Sequence, residues 1–483
     1  MARRCPRLSP GDRLTRRLLA LFLLLAPAPG CAPGPDASGR PHVILVTLES
    51  LRTDHVRAYR GGTASQRGVS LTPALDAFAA GATVYERANS VTSWTLASHA
   101  SLFTGLYPTA HGTEGPRDCL DESYTTLAER LANAGYQTAG VVSGPYLRPT
   151  HRLHQGFELY DDSPASITNA VAHDDVTNPA MEESLQHVLD EQRDPLRPLF
   201  LFAYFWDPHY DYIPPAPYDA MFVGPEDQPV DARGFETNAA IHAGMPPEQV
   251  HWLLSQYAGE IRWTDDALGR FFARLQRLGL WDDALVIVTA DHGEEFFDHG
   301  EKGHKNNLHA ETVRVPLVVK LPGQHEGRRD SRLVSLVDVA PTVMEVTGLE
   351  APADAFQGRS LLAPEAADRP VLFELLSVLF YRDAAGELST RESVHGGVQQ
   401  AGRKLLWNDK GRGGGLFDVE SDPGERAPLA GTVAERNRLR AAFDGEIARS
   451  RAIAERHDRC GEARLSREEI EVLCALGYLS DCD

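Results

Sequence analysis

The sequence lacks an apolar run long enough to cross a bilayer. Leu18 to Ala26 comes nearest, and it falls well short of the roughly 20 residues that a spanning helix needs. It lacks any surplus of basic charge: 48 Lys and Arg stand against 68 Asp and Glu, a formal −20. Residues 1–30 hold six Arg and one Asp, so the remainder carries 42 basic against 67 acidic side chains, or −25. Such a surface does not suit nucleic acid or an anionic membrane as the main partner, although a bound cation can reverse the sign locally for an anionic substrate. No CxxC pair occurs, which argues against a zinc site of that type. No internal repeat is visible. With 42% hydrophobic and 24% charged residues, the chain is neither disordered throughout nor a polytopic membrane protein. Its 483 residues suit a large domain, or one domain plus a smaller lobe.

The N-terminus carries an export pattern. Arg13, Arg16 and Arg17 precede the run Leu18 to Ala26, which fits a signal h-region. The run ends in Ala-Pro-Ala-Pro-Gly-Cys, and small residues directly before Cys31 resemble the lipobox of bacterial lipoproteins, with Ala28 where that box prefers Leu. Residues 1–30 therefore read as a signal peptide and 31–40 as a Pro- and Gly-rich tether. The protein is expected outside the cytoplasm, periplasmic or at the cell surface, lipid-anchored at Cys31; ordinary signal cleavage nearby is the alternative. Export implies an oxidising compartment. Of Cys119, Cys460, Cys474 and Cys482, the last three crowd the C-terminus, and one C-terminal disulfide is expected with its pairing open.

His42 to Leu48 is a β-branched apolar run that reads as a buried parallel strand. Thr125 to Ala134 has helical spacing and stops at Gly135, and Thr138 to Val142 is a second strand. Pro198 to Tyr204 is a third, Gln249 to Leu278 a long amphipathic helix, Ala284 to Thr289 a fourth strand and Val315 to Lys320 a fifth. Alternation of this kind means an α/β sheet with helices on both faces, and such sheets hold ligands at the C-terminal ends of their strands. Asp161 to Asp194 and Gly224 to Ala243 read as surface insertions. The texture changes near Ala363 to Pro370, dividing residues 41–369 from a smaller C-terminal lobe, 370–483, with a Gly-rich turn at Gly411 to Gly415 and a charged helix from Val433 to Asp458.

Four polar clusters follow, most of them just after strands: Thr47 to Asp54; Thr95 to Gly105 with Pro108 and His111; Asp207-Pro208-His209-Tyr210; and Asp291-His292-Gly293-Glu294 with His299, Gly303, His304 and Lys305. Glu49, Asp291 and His292 have the donor chemistry to hold one divalent cation. A hydroxyl bound to that cation becomes a usable nucleophile, and Thr95 can supply it. A helix starting after Thr95 would aim N–H groups at an anion. His209, His304 and Lys305 are placed to contact the charged group or a leaving oxygen. This set describes transfer of a tetrahedral oxyanion, phosphoryl or sulfuryl. Taken singly each residue also has a structural reading, as a cap, a turn or a satisfied core polar group, and for His111 that reading is preferred.

These clusters resemble the sulfatase family of the alkaline phosphatase superfamily, over most of residues 41–480. Leu71-Thr72-Pro73-Ala74-Leu75-Asp76 is similar to the family's TPNLD segment, Thr104-Gly105-Leu106-Tyr107-Pro108 with His111-Gly112 to TGxxPxxHG, and Arg314-Val315-Pro316-Leu317 to RVPL. Gln357 to Leu361 resembles its QGxSL turn, and Leu416 to Val419 with Asp422-Pro423-Gly424-Glu425 its C-terminal LYDL…DPxE hallmark. The resemblance implies a large mixed, mostly parallel sheet sandwiched by helices, with a smaller C-terminal α+β lobe. The departures bear on the chemistry. Thr95 stands where the family's sulfatases carry the Cys or Ser converted to formylglycine, His99 replaces the Arg of that motif, Glu49-Ser50 replaces its Asp pair, and Val142-Ser143-Gly144-Pro145 replaces GKWHLG. Glu49, Thr95, Asp291 and His292 instead resemble, by type and order, the single-manganese site of phosphoglycerol transferases of the lipoteichoic acid synthase type. Thr is also the nucleophile of the superfamily's two-zinc phosphodiesterases, for which no complete second site can be identified.

The sequence thus reads as an exported, metal-dependent hydrolase or transferase acting on phosphoric or sulfuric esters. Thr95 is the expected nucleophile and metal ligand, with Glu49, Asp291 and His292 as further ligands, and His209, His304 and Lys305 on the anion. One divalent ion is expected, Mn or Ca first, with Mg or Zn as alternatives. The expected substrate is an anionic ester, glycan- or lipid-linked, with no nucleic acid and with membrane contact only through an N-terminal lipid. A sulfatase working without formylglycine and a catalytically silent binding lipoprotein are the alternatives.

Overall fold

The computed structural model describes residues 39–479 apart from 60–64, 67, 166–176, 210, 365–368, 383–387 and 412–413. The signal-peptide and Cys31 readings, and nearly all of the tether, lie outside the described residues, as do Tyr210, Cys482, and parts of the first insertion, of the 363–370 boundary and of the Gly-rich turn.

The core is an eight-stranded sheet built from β1 (Val43–Leu48), β2 (Thr83–Asn89), β3 (Gln137–Val142), β4 (Leu159–Asp161), β5 (Leu199–Phe205), β6 (Leu285–Ala290), β7 (Leu317–Lys320) and β8 (Arg328–Ser335). Their order across the sheet is β8-β2-β7-β6-β1-β5-β3-β4. Every neighbouring pair is parallel except those made by β7, which runs antiparallel to both β6 and β2. β1, β5 and β6 consist wholly of buried residues. Burial on both faces explains their near-continuous apolar sequences, since neither face meets water. β1 lies between β5 and β6, pairing Leu48 with Phe205 on one side and Ala290 on the other. Three parallel strands therefore end together.

The helices bearing on the site are α1 (Thr95–Thr104), α2 (Leu127–Asn133), α3 (Asn178–His187), α4 (Pro247–Arg277), α5 (Val433–Ala454) and α6 (Arg467–Ala475). α1 is buried along its whole length and stops at Gly105, whose left-handed conformation (φ 69°) closes the helix. α2 begins with a capping box between Thr126 and Glu129. Among the described residues no helix is long and apolar enough to cross a membrane.

A second, antiparallel sheet follows the order β9 (Val371–Arg382), β10 (Leu388–Gln400), β11 (Arg403–Asn408), β12 (Gly415–Asp418). Leu372, Val398, Leu405 and Leu416 of this sheet form one apolar cluster with Leu439, Phe443 and Ile447 of α5 and with Val91 and Tyr107, which flank α1. The backbone N–H of Glu374 donates to Val91 O at 2.9 Å.

Two local readings need revision. The stretch 161–194 is not only a surface insertion: α3 and the turn after it bury Met181, Leu185, Val188 and Leu189 in the main core. Nor is 224–243 only a surface insertion. Phe235 and Ile241 are buried, and Lys302 Nζ donates to the carbonyls of Asn238 and Ile241 at 2.8 Å each. The described disulfide joins Cys460 to Cys119, across 341 positions, and Cys474 is disulfide-bonded as well. The Cys119–Cys460 bridge fixes the start of the tail that carries α6.

Candidate functional site

The ladder continues one step past β1, with Glu49 N donating to Phe205 O at 3.0 Å. The chain then turns out of the strand at Ser50 (φ 52°). Ser50 N donates to Asp291 Oδ1 at 3.2 Å, and Ser50 Oγ to Glu49 Oε1 at 2.8 Å. Asp291 and His292 follow β6 directly, so the strand register sets Glu49 beside them. Their ligand atoms all lie within 4.8 Å of one another, a spread that one ion spans with bonds of about 2.0–2.6 Å. The side chains of all three are fully buried.

This group calls for positive charge. Burial alone would lower the His292 imidazole, but Asp291 and Glu49 outweigh it and hold it at about 10. Burial and the neighbouring Glu49 raise Asp291 well above the carboxylate range, because two carboxylates so close cannot both ionise without a cation. Burial also works to raise Glu49, yet His292, His209 and His304 together carry it well below its ordinary value. Asp291 Oδ2 is buried without a hydrogen-bond partner among the described residues, a costly state that an ion would relieve. The donor set is two carboxylates and an imidazole, which suits a divalent metal.

Thr95 opens α1, after a five-residue connection from β2. Its Oγ1 lies 3.2 Å from His292 Nε2 and 3.5 Å from each Glu49 oxygen. The two nearby serines face elsewhere. Ser93 Oγ donates to Asn307 O at 2.8 Å, and Ser98 Oγ to Asp291 O at 2.7 Å. His99 sits behind Thr95: its Nδ1 contacts Thr95 O at 2.9 Å and its Nε2 contacts Thr47 Oγ1 at 3.0 Å. Burial takes its pKa down to about 4, so it is a neutral structural imidazole.

His209 and His304 stand across from these groups. Their ligand nitrogens lie within 4.8 Å of a Glu49 oxygen and of each other, and the His304 ring is 4.4 Å from that of His292. Lys305 is buried, 3.7 Å from Glu236 Oε1, with its ammonium 4.2 Å above the Tyr478 ring. The desolvation that comes with burial lowers its pKa, against the pull of Glu236. Glu49, Thr95, Asp291, His292, His209, His304 and Lys305 are thus gathered at one end of the sheet. His111 lies apart, with Nε2 on Ser101 Oγ at 2.9 Å and its pKa taken to about 3 by burial, consistent with its structural reading.

Four contributors escape sequence reasoning. Ser50 orients both carboxylates. Tyr204, at the end of β5, donates its hydroxyl to Glu49 Oε2. Glu294 contacts His304 Nδ1 at 3.2 Å and accepts from Tyr212 at 2.7 Å, and its burial raises it to about 7. Tyr478 reaches in from the C-terminal tail. Only Ser50 and Glu294 have a signal in the sequence, their adjacency to acidic clusters.

Comparison with known proteins places this geometry. The family model described as Sulfatase matches residues 41–349, and one described as N-sulphoglucosamine sulphohydrolase, C-terminal, matches residues 298–451. The multifunctional alkaline phosphatase superfamily protein PehA of Trinickia caryophylli is 35% identical over 201 residues, 36% of this chain and 38% of that protein's length. An arylsulfatase of Clostridium perfringens is 24% identical over 464 residues, 83% of this chain and 92% of the relative. The phosphonate monoester hydrolase of Agrobacterium radiobacter shares the fold with a TM-score of 0.63 at 22% identity, covering 86% of this chain and 96% of its own. The chain belongs to the sulfatase family of the alkaline phosphatase superfamily and is an ester hydrolase of that family.

Proposed function

We propose that the protein cleaves phosphoric esters, with phosphodiesters and phosphonate monoesters first, through Thr95 as a covalent nucleophile. One observation carries this: Thr95 Oγ1 alone among the three nearby hydroxyls faces Glu49 and His292, at the buried N-terminus of α1. Glu49, Asp291, His292 and Thr95 would hold one divalent ion, which when bound supplies the charge that lowers a hydroxyl's pKa and neutralises the substrate anion. The chain's own groups do the rest. Thr95 Oγ releases its proton to solvent and forms the bond to phosphorus, and the ester oxygen departs with the electron pair of the broken bond and takes up a proton from solvent. His209, His304 and Lys305 face that oxygen and stabilise its developing charge. Water then cleaves the threonine ester and restores the hydroxyl.

A sulfate ester is the second reading. The arylsulfatase relative and the sulphohydrolase C-terminal match favour it. Thr95 at the formylglycine position favours phosphorus. Aryl phosphodiesters, a phosphonate monoester, a phosphomonoester and sulfate esters, each assayed with Mn, Ca, Mg or Zn, separate the two readings. Turnover of sulfates alone would overturn the first. We also propose export and lipid anchoring at Cys31. Cys31→Ser should move the protein from the membrane to the soluble exported fraction, and a wild-type protein already wholly soluble would contradict the anchor.

A further inference from the structure

Tyr478 lies 174 residues beyond His304 and 269 beyond His209, yet its hydroxyl touches both: 2.7 Å to His209 Nε2 and 3.3 Å to His304 Nε2. His304 Nδ1 in turn contacts Glu294 Oε1 at 3.2 Å. Glu294, His304, Tyr478 and His209 thus form one hydrogen-bonded chain whose two imidazoles both face Glu49. A phenol suits the middle place, since it donates one hydrogen bond and accepts another.

The tail is built to deliver this residue. α6 starts from a capping box between Ser466 and Glu469 and anchors Val472 and Leu473 in the core. It ends in a Schellman turn: Tyr478 N donates to Leu473 O at 2.7 Å and Gly477 N to Cys474 O at 3.0 Å. Gly477 supplies the left-handed conformation (φ 75°) that the turn requires. Leu476 and Leu479 are buried on either side, and the Tyr478 ring meets Trp94 and Tyr146 edge-on at 5.2 and 5.0 Å. The Cys119–Cys460 bridge ties the tail to the body of the protein.

We propose that Tyr478 is a positioning residue for the departure of the leaving group. Its hydroxyl fixes the His209 and His304 rings beside Glu49, where the imidazole N–H aimed at the phenol is shared with the departing ester oxygen as its charge develops. That oxygen leaves with the electron pair of the broken bond and needs such donors most when it is a poor leaving group. This inference rests on the proposed ester cleavage at Thr95.

The test uses the full-length, metal-loaded enzyme and Tyr478→Phe, which keeps the ring and removes only the hydroxyl. The probes are paired 4-nitrophenyl and phenyl esters of the class the substrate panel shows to be cleaved. For the phenyl ester, kcat should fall at least tenfold with KM within about threefold, while the 4-nitrophenyl ester loses much less. Leu479→Ala serves as the packing control in the same tail. It should lower thermal stability and affect both esters alike. An equal loss on both esters in Tyr478→Phe, or no loss, would overturn the proposal. Failure of the Thr95 reading shows separately, as turnover that survives in Thr95→Ala.

Discussion

Glu374 gives a quantitative test of how the second sheet supports the segment before α1. It sits in β9, where its backbone N–H holds Val91, four residues before Thr95. Its side-chain Oε2 accepts from Thr109 N at 3.2 Å and from the Thr109 hydroxyl, while Oε1 is buried without a partner among the described residues. Burial raises this carboxyl from 4.5 to about 8, only partly opposed by Thr109. The native state therefore keeps a proton that the unfolded chain gives up above pH 4.5. Stability from this group is complete below that value and is lost as pH rises to about 8. A shift of this size corresponds to about 5 kcal/mol across the window, at roughly 1.36 kcal/mol per pH unit. Glu374→Gln keeps the shape and removes the ionisation. Denaturant unfolding of both proteins at pH 5 and pH 9 measures the difference. The two should be close in stability at pH 5, and the wild type should lose several kcal/mol more than the variant by pH 9. Parallel loss in both proteins would refute the buried, protonated state of Glu374.

Other perturbations probe the site from different sides. A Cβ at Gly144 would lie 2.5 Å from the Tyr204 ring and 2.8 Å from its hydroxyl. Gly144→Ala should therefore disturb Tyr204 and Glu49 and weaken metal binding, read by metal titration, more than it lowers the melting temperature. Ser93→Ala and Ser98→Ala should each change turnover by less than about tenfold, since their hydroxyls serve backbone carbonyls worth roughly 1 kcal/mol each. Reducing the Cys119–Cys460 bridge should lower thermal stability by the equivalent of about 2–5 kcal/mol and expose the tail to proteolysis, followed by peptide mapping.

The sheet's centre was legible because β1, β5 and β6 are buried on both faces and read as unbroken apolar runs. β2 and β8 were not, since TVYERAN and RRDSRLVS mix charge with apolar residues. β8 is an edge strand with several exposed positions, where no continuous apolar signal is required. The stretch 224–243 read as a surface insertion because its composition is polar, although Ala232, Phe235 and Ile241 are buried and Lys302 bonds two of its carbonyls. Glu49, Asp291 and His292 could be placed together because parallel neighbours end at one edge. Tyr478 could not, because its approach depends on a helix end and a Gly turn hundreds of residues from the strands it meets. Neither did the cysteine spacing indicate a bridge from Cys460 to Cys119.

The most direct test of the account is to trap the group on the nucleophile. Metal-loaded enzyme is quenched during turnover of a slow ester and digested, and its peptides are mapped by mass. The account expects one phosphoryl or sulfuryl group on Thr95, and in Thr95→Ala no adduct together with a loss of turnover of roughly 10⁶. An adduct on Ser93 or Ser98, or near-normal turnover in metal-loaded Thr95→Ala, would contradict it.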